Sequence, residues 1–168
     1  MTDFKDSILE EYKIITKMNY TELVTFLREK YGVVPGDYFL TPTCKSKNSK
    51  ISRSMEGLEV HHIGEDMYAN LSEPSYALKA PWGEQNSKKL VYCNLLEHTM
   101  LHVLISEQKS NAQPYFIFKS QLINDILNDY PFKRAWLKVV YSQMKDHKDL
   151  LIKLYTRVGL QKLLNTDK

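Results

Sequence analysis

Lys89-Leu90-Val91-Tyr92-Cys93-Asn94-Leu95-Leu96-Glu97-His98-Thr99-Met100-Leu101-His102 is the stretch on which the fold turns. Its first five residues are β-prone. Asn94 then offers a helix N-cap, and Glu97 stands three residues on, the spacing of a capping box. Leu95, Leu96, Leu101, Val103, Leu104 and Ile105 supply the apolar face of the helix that follows. His98 and His102 are four apart, so both imidazoles fall on one side of it. The strand needs a partner, and Gly57-Leu58-Glu59-Val60-His61-His62-Ile63 provides one, antiparallel to it. Strand, long connection, strand and helix make a ββα unit. Four of the five histidines sit in these two short places.

Upstream, Phe4, Ile8, Leu9, Tyr12 and Ile15 form a helix-period stripe over 4–17. Leu23, Val24, Phe26 and Leu27 repeat it over 21–31, where Gly32 and then Pro35-Gly36 stop it. A helical hairpin is expected over 1–35. Residues 37–40 read as a short strand and 41–54 as a polar, basic loop. Residues 64–88 are a long connection with a short helix at 74–78, opened by Pro74. Asn111-Ala112-Gln113-Pro114 reads as a turn. Helices then start at Ser120, Pro131 and Lys148, the last running to Leu164 with Gly159 inside it. The expected class is α+β, mostly α. A small ββα-metal core with its basic loop covers 36–110, and a helical extension covers 111–168. Packed as one unit, 168 residues suit one core.

Composition narrows the function classes. Hydrophobic residues are 43% and charged residues 26%, the balance of an ordinary globular domain. No run of ~18 apolar residues offers a membrane span. Met1-Thr2-Asp3-Phe4-Lys5-Asp6 has neither the basic start nor the apolar centre of a signal peptide. Cys44 and Cys93 make no disulfide framework and no Cys-x-x-Cys zinc site, so a cytoplasmic setting is expected. The net charge of +3 is a mild excess. Lys45, Lys47, Lys50 and Arg53 concentrate it, with no acid before Glu56, a cluster that suits phosphate backbones. His147, between Lys145-Asp146 and Lys148, reads as surface.

Neutral imidazole is a good ligand for divalent transition metals and titrates near neutral pH. Adjacent strand residues point to opposite faces. One of His61 and His62 therefore faces the helix, and the other faces where water and substrate would meet. His98 and His102 can chelate together. Glu65 and Asp66 are candidate outer carboxylates for holding a histidine tautomer. Asn94, at the helix start, is counted with them.

Val60-His61-His62-Ile63, followed by the stretch from Leu90 to His102, resembles the HNH or His-Me finger nucleases, over roughly residues 57–106. The resemblance implies a ββα-metal site. It implies that His61 is a metal ligand, that His62 is the general base that activates water, and that His98 and His102 are further ligands. The implied reaction is hydrolysis of nucleic-acid phosphodiesters, DNA first, with one divalent ion: Mg²⁺, Mn²⁺, Ni²⁺ or Zn²⁺. A homodimer would suit cutting of both strands. Many family members carry asparagine just before the Leu-Val of the second strand, where this chain has Lys89. That departure leaves a second expectation open: an HNH-like module that binds nucleic acid or protein without cutting, such as a mobile-element inhibitor.

Overall fold

The computed structural model describes residues 2–109 and 114–165, with side chains from Ser7 onward. The chain is mostly helical around one small antiparallel sheet, an α+β fold. Helices α1 (Thr2–Ile15) and α2 (Tyr20–Tyr31) come first. Strand β1 (Glu59–His62), the one-turn helix α3 (Pro74–Ala77) and strand β2 (Leu90–Cys93) follow. Then come α4 (Leu95–Gln108), α5 (Pro114–Leu127), α6 (Ala135–Met144) and α7 (Lys148–Arg157). The side chain of Phe4, the turn at 111–113 and the boundary at 110/111 lie outside the described residues.

Two helices start by the same local chemistry. Asn19 and Asn94 each accept a hydrogen bond from the backbone of a glutamate three residues on, Glu22 and Glu97. Each glutamate carboxylate accepts from the asparagine N–H in return, so two otherwise orphaned donors are satisfied. β1 and β2 pair with His61 opposite Val91 and His62 opposite Leu90.

α4 is the axis of the molecule. Every residue from 95 to 105 is buried, so the helix has no solvent face before its last turn, where the sequence reading expected one apolar face. Leu23 and Leu27 of α2, Phe116 and Ile123 of α5, and Leu151 and Tyr155 of α7 belong to its core cluster. A smaller cluster, Val34, Ile51, Leu58, Leu90 and Tyr92, sits on the other side of the sheet. Burying helix polar groups requires partners. Glu97, fully buried, has them in Lys30 at 2.7 Å and the Tyr31 hydroxyl at 3.0 Å. The Tyr155 hydroxyl donates to the Phe116 carbonyl at 3.1 Å.

Several boundaries differ from the sequence reading. Residues 37–40 form no strand; a single bridge joins Phe39 to Lys47 because the chain reverses tightly between them, at Thr41–Cys44. The basic loop is tied down by Tyr38, whose carbonyl accepts from the Asn48 N–H at 2.8 Å, and contains two 3₁₀ turns. α5 begins at Pro114, six residues before Ser120, since proline tolerates the first turn of a helix. α6 starts at Ala135, after Pro131 rather than on it. α7 ends at Arg157, and Gly159 turns the chain with φ +72° instead of lying inside a helix. His147 is buried at 8% exposure rather than on the surface: it sits in the short α6–α7 corner just before α7, where its N–H is held by the Met144 carbonyl at 2.9 Å.

Candidate metal centre

The pleat of β1 sends His61 toward α4 and His62 away from it. His98 and His102, one turn apart on α4, meet His61. Ring centroids are 5.2 Å apart for His61–His98, 5.1 Å for His61–His102 and 5.1 Å for His98–His102, close to an equilateral triangle. One nitrogen from each ring lies within 4.8 Å of the others. A tetrahedral site with Zn–N bonds of ~2.0–2.1 Å would need about 3.4 Å between ligands, so the rings would close by roughly 1 Å.

The outer contacts of two of the rings show which nitrogen faces inward. Tyr20 has one hydroxyl proton, and the Ile63 carbonyl at 2.8 Å can only accept it. The 2.9 Å contact between the Tyr20 oxygen and His61 Nε2 is therefore donated by the ring. His61 carries its proton on Nε2, and Nδ1 is a lone pair. Likewise Glu59 Oε2 lies 2.5 Å from His98 Nδ1, so the carboxylate accepts and Nε2 is left open. Lys119 holds the other Glu59 oxygen. Burial pushes Glu59 up, but Lys119 and His98 outweigh it and keep the carboxyl well below its ordinary value. His102 lies flat on Tyr115, centroids 3.9 Å apart and planes at 4°.

Two buried nitrogens in the triangle, His61 Nδ1 and His102 Nε2, have no hydrogen-bond partner. Each orphan costs about 1–3 kcal/mol unless something satisfies it. Glu65 Oε2 is 3.2 Å from His102 Nε2 and 3.7 Å from His61 Nδ1, off the line a hydrogen bond needs. Its other oxygen accepts the Leu71 N–H at 3.0 Å. Burial lowers His102 to about 4, against the pull of Glu65, and also lowers His61 well below its ordinary value, with its neighbouring histidines adding to the effect. His61 and His102 are thus neutral near pH 7, the form that ligates metal. Three imidazole nitrogens beside one carboxylate fit a divalent transition ion.

His62 sits on the opposite face. The Gln85 amide nitrogen donates to the Leu71 carbonyl at 3.2 Å, so its oxygen is the acceptor 2.9 Å from His62 Nε2. His62 Nδ1 is again a lone pair, buried and without a partner. Burial lowers this ring also, with Glu65 opposing. The Tyr38 ring packs against it, centroids 4.5 Å apart.

The triangle lies at the bottom of an open cleft of about 810 Å³. His61, His98, His102, Glu65 and Glu59 line it, and so does Tyr38; His62 does not. Of the basic loop, Lys47 lines the cleft, while Lys45 and Lys50 are exposed away from it. Arg53 reaches the cleft wall with its guanidinium engaged. It donates to Glu56 at 2.7 and 2.6 Å and to the Tyr31 carbonyl at 2.8 Å, and stacks 4.9 Å over Tyr92. Asn94 caps α4 and does not join the histidines. Asp66, half-buried on the turn after β1, stays outside the triangle too.

Sequence reasoning missed Tyr20, Glu59, Gln85, Tyr115 and Lys119. Only Glu59 carried a local signal: it precedes His61 by two residues on a strand, hence shares its face. No family model, curated protein or solved structure matches the chain.

Proposed function

We propose that the chain is a metal-dependent endonuclease of the HNH type, hydrolysing phosphodiester bonds in nucleic acid, with DNA as the first substrate to test. The observation that supports this is the convergence of His61, His98 and His102 in an open cleft, with unpartnered ring nitrogens on His61 and His102 and with His62 on the opposite face of the same strand. One divalent ion held by these three rings would supply Lewis acidity at the scissile phosphate. A nitrogen-rich set favours Zn²⁺ or Ni²⁺ over Mg²⁺ and Mn²⁺, which suit oxygen ligands.

The chain's own residues supply the rest. Tyr20 and Glu59 hold two rings in the ligating tautomer. Gln85 keeps the His62 proton on Nε2, which leaves Nδ1 to take a proton from water. That nitrogen is buried and His62 does not line the cleft, whereas the Tyr38 ring packed against it does, so the side chains here must rearrange for water to arrive.

The test is plasmid and oligonucleotide cleavage over Zn²⁺, Ni²⁺, Mn²⁺ and Mg²⁺. Cleavage with at least one ion is expected, lost on chelation and falling with salt. His62→Ala should lower the rate by about 100-fold or more while bound metal is kept. A His62→Ala variant that cuts normally removes His62 as the base. The burial of His62 favours a second reading, a metal-stabilised module that binds without cutting. An ion that raises the melting temperature with no cleavage under any condition would select it.

A further inference from the structure

We infer that the cleft takes an unpaired nucleic-acid strand rather than a duplex, with one base lying on the ring of Phe118. The inference rests on the nuclease reading for the position of the phosphate and on three observations for the rest.

The first is charge. Lys47, Arg53 and Lys119 line the cleft, but so do Glu59, Glu65 and Glu73. Arg53 and Lys119 are ion-paired to Glu56 and Glu59. A duplex brings one negative charge per ~1.7 Å of axis and is gripped through those charges. A wall of balanced charge offers it little, and a single strand, with half that charge density, loses less by it.

The second is depth. His61, His98 and His102 are 1%, 9% and 7% exposed. A stiff double helix reaches groups so enclosed less readily than a chain that bends. A single strand bends at every nucleotide.

The third is the aromatic wall. Tyr115 and Phe118 of α5, Trp136 of α6 and Tyr38 all line the cleft. Phe118 is 69% exposed, a large apolar ring left in water at the lip. It lies three residues beyond Tyr115, which stacks on His102. That is a rise of about 4.5 Å along the helix. Successive nucleotides of a strand are ~3.4 Å apart when stacked. Tyr115 and Phe118, three residues apart, are neighbours on one side of α5, so a strand with its phosphate at the histidines runs along the wall that carries Phe118. Stacking on exposed aromatics is how unpaired strands are held without sequence readout.

Fluorescence anisotropy with a short labelled oligothymidylate, and with its duplex of equal length, tests this on the intact chain. The single strand should bind at least about tenfold tighter than the duplex. Phe118→Ala should weaken single-strand binding roughly tenfold, and Phe118→Tyr, which keeps the ring, should restore it. Phe118 is exposed, so neither change threatens the fold. Equal affinity for the duplex, or indifference to Phe118→Ala, overturns the inference and leaves the nuclease reading intact. The expected preference in a chain that never cleaves sustains the inference and removes that reading.

Discussion

His61 and His62 are bonded neighbours on one strand, each 1% exposed, each with Nε2–H anchored and Nδ1 unpartnered. They differ in what surrounds that free nitrogen. On the α4 face it meets two more imidazoles and a carboxylate at the foot of an open cleft. On the other face it is buried without a partner in a ring that packs on Tyr38, with a glutamine amide fixing Nε2. Residue type and tautomer are shared, so chemistry alone does not separate the two. The pleat of β1 does: it hands one ring to the helix and the other to the long connection before β2.

The largest effect should come from breaking the α4 face. His98→Ala removes one of three nitrogens, and metal affinity should fall by more than about 100-fold, beyond what losing an outer partner does. Titration against a chelating dye measures it. His62→Ala, in the same titration, should leave affinity where it was. Equal losses in both would mean the two faces are one site. Next comes the other face. Gln85→Leu strips the acceptor from His62 Nε2–H and the donor from the Leu71 carbonyl, both buried. A loss of about 2 kcal/mol in unfolding free energy is expected. Metal affinity should not move, and a drop there would erase the distinction between the faces.

How much of this was legible follows from how local each signal is. The strand-to-helix stretch around Asn94 was readable because the cap and box lie within four residues. So was the meeting of His61 with His98 and His102, because strand alternation and helical spacing are local rules. Glu59 was readable by the same alternation. Gln85 was not: an amide in a long irregular connection carries no period, and only the tertiary fold brings it beneath His62. Tyr20 stands just outside the helix read over 21–31 and carried no signal, since its partners lie 41 and 43 residues away. The basic loop was legible as a cluster but not by role. Arg53 is claimed by Glu56 next door and by the Tyr31 carbonyl from a distant helix, while Lys47 alone of the four faces the cleft unpaired with an acid. Pro114 and Pro131 show a rule with two outcomes. One proline opens a helix and the other precedes one by four residues.

The smallest of these effects tests whether β1 alone can hold its ligand. Burial pushes the Tyr20 phenol well above its ordinary value, so the hydroxyl keeps its single proton and gives it to the Ile63 carbonyl. The oxygen must then accept from His61, and this forces Nδ1 toward the other two rings. Tyr20→Phe keeps the packing ring and removes only that instruction. His61 could then carry its proton on either nitrogen, and the wrong tautomer points an N–H at the cluster. Metal affinity should fall about tenfold, the low end for an outer partner, with the far-ultraviolet spectrum unchanged. If affinity holds, the orientation of His61 comes from the strand and its neighbours. The N-terminal helices would then serve as packing for the centre and take no part in setting its chemistry.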